Sequence, residues 1–295
     1  MRKRFAVIGL DDDLAERVKN AICEIDWDTN VIVYSSVPSI EHDAALRIES
    51  PSVAGCMLDV SGVIYYSYFE GVEKERLALT FSATPTFPNI RATQSLDDKL
   101  AALVLALRAD PDGGRAPARW VARSRAFCNL LSSEEKRIIA NHPGCVIKSG
   151  NEHCGHGKWL TEEFLDQIPP SGAFLANGPI YIEPFIRGES VRILLVGDRA
   201  WQLHYVSDNW RKNVQATVTP MQINAELLTR TRRIADGLGL TVAGVDYILP
   251  EEGAPVLLEV NAYPGLSDAP GAEDAFVDLA TQWTKSLLDN SIFTR

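Results

Sequence analysis

At 295 residues, with 46% hydrophobic and 23% charged side chains, the chain has an ordinary globular composition, long enough for two domains or several lobes around real cores. Its 29 basic and 39 acidic side chains leave a formal charge of -10, which repels a phosphate backbone and argues against nucleic-acid binding, while leaving room for a local basic pocket around a phosphorylated small molecule. No apolar segment approaches the roughly 18 residues of a membrane span; the basic start "MRKRFAVIGL" runs into three aspartates rather than an export signal; and the five cysteines at 23, 56, 128, 145 and 154 make no disulfide framework, so a reducing cytoplasm fits best.

In chain order, "FAVIGL" reads as a short strand, "DLAERVKNAICEI" as a helix, "VIVYSS" as a strand, and "GCMLDV", after a further polar stretch of helical character, as another. This alternation predicts an α/β unit with a parallel sheet. Gly9 stands where a dinucleotide-binding turn would begin, but "GLDDDL" lacks the glycine spacing and sets aspartates where a pyrophosphate would lie. The Pro-rich run "SATPTFPNIRAT" marks a junction, closing an N-terminal unit over residues 1–95. "LDDKLAALVLALR" then predicts a helix and "RWVARS" a short strand, while Ser132 and Glu135 have the spacing of a capping box that starts another helix.

"CVIKSG" predicts a strand ending near Lys148, followed by a loop with Gly150, Gly155 and Gly157. Such a loop can wrap a polyphosphate while the lysine supplies charge, although the lysine precedes the glycines and this is no Walker A loop. His153, Cys154 and His156 lie too close together, and lack a fourth partner, for a zinc site. "PIYIEPFIRG" predicts a strand running into an extended linker, "SVRILLVGDRAWQLHYV" a hairpin turning at Gly197-Asp198, "MQINAELLTRTRRIADGLGL" a helix stopped by Gly239, and the tail from Glu273 to Leu288 a last helix.

Between the last two helices, "VAGVDYILP" and "PVLLEVN" form a second hairpin around "EEGA". A symmetric register sets Pro250 opposite Pro255, Ile248 opposite Leu257 and Asp246 opposite Glu259, with Asn261 two positions further on the same face. Two facing carboxylates repel unless a cation lies between them. Mg²⁺ suits the set, because it takes oxygen ligands and fills its remaining positions with water and substrate phosphates. The alternative is that Asp246 and Glu259 flank a loop at the sheet edge and stay solvated.

Together these pieces resemble the ATP-grasp superfamily of carboxylate-amine ligases, such as the ribosomal-protein glutamate ligases and D-alanine:D-alanine ligases, over roughly Leu96 to Leu266. The resemblance implies an ATP-grasp fold: the N-terminal α/β domain at 1–95, a small lobe with a lid loop at 96–185, and a C-terminal lobe with the Mg²⁺ site at 186–295. It implies ATP and Mg²⁺ as cofactors, two ions with Mn²⁺ as an acceptable substitute. Lys99 and Lys148 would contact phosphate under the glycine loop of Gly155 and Gly157. The backbone at Glu183, Pro184 and Phe185 would meet adenine, and Glu189 would meet ribose. In the glutamate ligases an aspartate stands where the alignment gives Ser190, so the Glu189 assignment carries a one-residue shift.

The same resemblance gives Arg211 and Asn213 to phosphate and metal, Asp246, Glu259 and Asn261 to Mg²⁺, and Arg192 with Arg211 to the oxygens of an acyl phosphate. Plain surface salt bridges are the alternative for the two arginines, and simple solvation is the alternative for Lys99. Trp210 lines the substrate site by abutting Arg211. The implied partners are a small-molecule or peptide carboxylate and an amine, with no nucleic acid and no membrane, and a homodimer is left open. A small-molecule kinase and a nucleotide-binding regulator without turnover are the competing functions.

Overall fold

The computed structural model describes residues 3–42, 45–67, 72–94, 96, 98–112, 115–124, 130–149, 157–167, 178–212 and 214–290. The chain runs β1 (Arg4–Ile8), α1 (Asp12–Ile25), β2 (Asn30–Tyr34), β3 (Ile40–His42), β4 (Leu46–Glu49), β5 (Met57–Asp59), β6 (Gly62–Tyr65), α2 (Glu73–Phe81), β7 (Thr86–Phe87) and α3 (Ile90–Gln94). It continues as α4 (Lys99–Ala109), β8 (Trp120–Arg123), α5 (Ser133–Ala140), β9 (Cys145–Ser149), β10 (Lys158–Leu160), α6 (Thr161–Gln167) and β11 (Ile180–Pro184). The remainder is β12 (Glu189–Val196), β13 (Arg199–Val206), β14 (Thr217–Met221), α7 (Ala225–Leu238), β15 (Val242–Leu249), β16 (Val256–Asn261) and α8 (Ala272–Asn290). No described helix is long and apolar enough to cross a membrane.

The N-terminal unit is built on a parallel sheet in the order β2-β1-β6-β7. Asp11 caps α1 by accepting from the Leu14 N–H, and the helix buries Leu14, Ala15, Val18 and Ile22. One expectation fails here. The polar stretch before "GCMLDV" is no helix: β3 and β4 occupy it, and with β5 they form a separate antiparallel sheet. The third parallel strand is β6 instead. Ile40, Leu46 and Ile48 are fully or almost fully buried, with Arg47 and Glu49 alternating outward, a period of two that makes a strand the better way to bury them.

Two antiparallel sheets build the rest. In β14-β13-β12-β15-β16, one face presents Val191, Ile193, Val245, Tyr247, Leu257 and Val260 to the core formed with α4 and α7. The opposite face carries Leu194, Val196, Leu203 and Val242 into a core shared with α1 and α8. Asn224 caps α7 with its side chain, and Gly239 ends it at φ 69°, where a side chain would be strained. In the sheet β10-β9-β11-β8, Cys145, Ile147, Ile180 and Ile182 pack against Ile139 of α5 and Phe164 of α6. The expected capping box of α5 is present, with Ser132 and Glu135 bonding reciprocally. The face of β9 and β11 turned away from that core, and the Arg192–Asp246 end of the five-stranded sheet, are what the site is made from.

Candidate active site

Strand alternation sets the first wall. With Ile147 and Ile182 committed to the core, Val146, Lys148 and Glu183 must point the other way. Lys148 lies opposite Tyr181, diagonal to Glu183, and its Nζ reaches Glu183 Oε2 at 2.5 Å. Arg119 grips the same carboxylate, donates to the Lys99 carbonyl at 3.0 Å, and lies over the Tyr181 ring. Burial alone would raise the Glu183 carboxyl, but Lys148 and Arg119 outweigh it and hold the group below the ordinary glutamate value. Burial also pushes the Lys148 ammonium down, against the pull of Glu183.

The second wall comes from the hairpin of β15 and β16. Asp246 lies opposite Glu259 and Gly244 opposite Asn261, as the symmetric register predicts. Nearer the turn the register slips: Tyr247, not Ile248, lies opposite Leu257, and Ile248 faces Val256. This bulge leaves Leu258 unpaired, and it explains how Leu257 and Val260 both enter the core while Leu258 and Glu259 both face the cleft. Arg192, opposite Asp246 on β12, grips it bidentately at 2.6 and 2.9 Å. Asn261 Nδ2 donates to Asp246 Oδ2 at 3.2 Å. Lys99, at the first turn of α4 and only 8% exposed, reaches Glu259 at 3.6 Å. Burial pushes its ammonium down, with Glu259 opposing.

Between the walls lies a cleft of about 470 Å³. Of the residues singled out in the sequence, Lys148, Glu183, Pro184, Phe185, Trp210, Arg211, Asp246 and Glu259 line it. Lys99, Arg192 and Asn261 stand behind them, each one contact away. Phe185 meets Trp210 edge to face at 6.0 Å and 88°, closing one end with apolar surface, and Arg211 lies over the Trp210 ring. The Arg211 Nε is buried and, among the described residues, has no hydrogen-bond acceptor. Gly157 takes a φ of 62°, and its carbonyl accepts from the Ser149 N–H across the β9–β10 turn. Glu189 is not brought to the cleft: it is exposed on β12, whereas its neighbour Ser190 lines the cavity, as strand alternation requires. Gly155, Asn213, His153, Cys154 and His156 lie outside the described residues. Sequence reasoning missed Arg119, which has no local pattern, and Lys158, which lines the cleft beside Lys148.

The all-oxygen set of two half-buried carboxylates and one carboxamide fits a hard divalent cation. Among the described residues no three His, Cys, Asp or Glu gather to cage a metal alone, so such a cation would take its other ligands from water and a phosphate ligand, which is the habit of Mg²⁺.

Residues 136–287, more than half of the chain, match the family described as the RimK-like ATP-grasp domain. A probable alpha-L-glutamate ligase of Xanthomonas oryzae pv. oryzae is 38% identical over 140 residues, which is 44% of this chain and 46% of that relative, so the match spans about half of each. Among solved structures, a RiPP-associated ATP-grasp ligase of Chryseobacterium gregarium, in complex with ADP and a leader and core peptide, aligns with a TM-score of 0.62 at 18% identity, covering 96% of this chain and 97% of that one. The ATP-grasp ligase PsnB, complexed with a phosphomimetic variant of minimal precursor, Mg and ADP, aligns with a TM-score of 0.60 at 16% identity, covering 97% and 99%. The fold is thus shared along nearly the whole length, and the family match takes in Lys148, Glu183, Arg192, Arg211, Asp246, Glu259 and Asn261: this chain belongs to the RimK-like ATP-grasp family.

Proposed function

We propose that the chain is an ATP-dependent carboxylate-amine ligase, which activates a carboxylate as an acyl phosphate and joins it to an amine with release of ADP and phosphate. The observation that carries this reading is the division of one cleft into an apolar end and two opposed charged walls. Phe185 and Trp210 make a slot suited to a flat base, with the backbone of Glu183 to Phe185 along its side. Lys148 and Lys99 supply fixed positive charge where a phosphate chain would run from that slot toward Asp246 and Glu259.

Asp246, Glu259 and Asn261 would hold Mg²⁺, which when bound supplies neutralisation of phosphate oxygens. Arg192 and Arg211 suit the planar, bidentate binding of an acyl-phosphate or carboxylate group, which a lysine does not reproduce. Arg211, whose Nε has no acceptor among the described residues, has donor capacity left for such a ligand. Exclusion of water from the acyl phosphate falls to the two walls. A relative named as a glutamate ligase and a structural neighbour bound to a peptide support an amino acid or peptide as substrate on each side of the new amide.

Phosphate release from Mg-ATP by the full chain, across a library of amino acids and peptides given singly and in pairs, tests the reading. Release that needs a carboxylate and an amine together, with an amide product by mass spectrometry, is expected. ADP formation with no amine requirement would make the protein a kinase, and nucleotide binding without turnover across the whole library would refute both enzymes.

A further inference from the structure

The cleft holds lysines that the ligase reading does not use; Lys212 donates to the Ser207 carbonyl at 2.7 Å, and the other is Lys158. Lys158 opens β10 directly opposite Lys148 on β9. The pair between them and the next, Ile147 and Trp159, packs into the core beneath the sheet, so Lys148 and Lys158 both face the cleft, and both line it. Directly opposed residues of an antiparallel pair sit about 4.5–5.5 Å apart, and like charges there destabilise the sheet. The fold therefore sustains a repulsive pair on the wall of this cleft.

Among the described residues the acidic side chains of the cleft are engaged with other cations. Glu183 is taken up by Lys148 and Arg119, Glu259 by Lys99, and Asp246 by Arg192. Among the described residues Lys158 has no hydrogen-bond or ion-pair partner. Its charge instead adds to burial in pushing the Lys148 ammonium down. Lys99, Arg119 and Lys148 each have an ion-pair partner, whereas among the described residues Lys158 has none. A multiply charged anion lying between Lys148 and Lys158 converts their repulsion into a shared attraction, and it can do so only from inside the cleft.

We propose that Lys158 binds the polyphosphate chain of the nucleotide together with Lys148, as a third lysine of the phosphate site. This deepens the nucleotide-binding part of the function proposed above and rests on it. Full-length wild type, Lys158→Met and Lys158→Arg are compared by thermal unfolding without ligand and by calorimetric titration with Mg-ATP, with adenosine affinity read by displacement. Without ligand, Lys158→Met should be as stable as wild type or more so, because a like-charge pair is removed. Its affinity for ATP should fall at least about tenfold, the loss of one charge-assisted contact, with adenosine affinity unchanged, and Lys158→Arg should keep most of the ATP affinity. Equal ATP affinity in wild type and Lys158→Met overturns the proposal and leaves the nucleotide site standing. A parallel loss of adenosine affinity, or of stability without ligand, overturns it in favour of a structural role. Wild type that binds no nucleotide at all overturns the functional reading itself.

Discussion

Replacing Arg119 by methionine tests whether the buried charge triad holds the cleft wall in place. Arg119 and Lys148, with side chains 4% and 12% exposed, share the carboxylate of Glu183, which is 4% exposed. Breaking a buried pair by removing one partner costs about 3–5 kcal/mol when the other charge is left bare. Here Lys148 stays at 2.5 Å from Glu183, which puts the loss at the low end, about 3 kcal/mol. The lost bond from Arg119 Nη1 to the Lys99 carbonyl, which ties the first turn of α4 to this wall, adds about 1 kcal/mol. Methionine keeps an apolar stem over Tyr181, so the change is chiefly one of charge. A total near 4 kcal/mol, at roughly 2–4 °C per kcal/mol for a chain of this size, lowers Tm by roughly 8–16 °C in scanning calorimetry. In a double-mutant cycle with Glu183→Gln, the coupling energy should be about 2 kcal/mol or more. A Tm within roughly 2 °C of wild type, or strictly additive effects in the cycle, would refute the view that this triad is one unit.

Three further outcomes follow from the same geometry. A Cβ on Gly244 would meet Pro264 Cβ at 2.7 Å and Arg192 Cδ at 3.2 Å, so Gly244→Ala should destabilise the chain by about 1–3 kcal/mol and displace Arg192 from Asp246; urea unfolding and phosphate release should both fall, and a variant normal in both would show that the strand has room to spare. Glu259→Gln should keep the fold by circular dichroism and lose Mg-dependent phosphate release by roughly 10²-fold or more, whereas unchanged turnover would remove Glu259 from the cation site. The Glu135 carboxyl is held at about 2, chiefly by its hydrogen bonds from Arg123, against an ordinary 4.5. A folded-state pKa below the unfolded one stabilises above 4.5 and is lost as pH falls toward 2, so the stability gap between wild type and Glu135→Gln should be widest near neutrality and shrink below about pH 4.5. A gap in urea midpoint that stays constant between pH 7 and the acid limit of folding would contradict it.

What was legible in the sequence depended on how far apart the interacting residues lie. Counting back from a short turn places Asp246 opposite Glu259, and the same arithmetic across the loop after Ser149 would have set Lys148 opposite Lys158. It fails for Ile248 and Leu257, because a bulge is a backbone choice made by packing: two core residues, Leu257 and Val260, claim the same side from positions three apart. Strand alternation alone would have separated Ser190 from Glu189, given the buried positions of β12. The short strands β3 and β4 escaped because two or three alternations in a polar stretch weigh little until Tyr34 and Tyr65 are known to wait above them. Arg119 carried no local signal at all, since its meaning lies in Glu183, 64 residues away.

The charges of the cleft also constrain one another in a way no single motif expresses. Arg192 spends both arms of its guanidinium on Asp246, at 2.6 and 2.9 Å, and Lys99 stands against Glu259 at 3.6 Å. Each candidate carboxylate ligand is therefore already neutralised by a side chain that the proposed reaction needs elsewhere. A guanidinium fork cannot hold Asp246 and a substrate anion bidentately at once, so Arg192 becomes available to the substrate only when Asp246 acquires another cation. Leaving Asp246 bare instead would strand a half-buried carboxylate beside Glu259, which repulsion opposes. Cation binding and anion binding at this wall should thus be coupled, each favouring the other. The coupling has a direct readout: Mg²⁺ should raise affinity for an anionic substrate in wild type, and the effect should vanish in Asp246→Asn, where Arg192 is released without any cation. Equal Mg²⁺ dependence in the two proteins would mean that the Arg192–Asp246 pair is permanent structure and that the substrate anion is held by Arg211 alone.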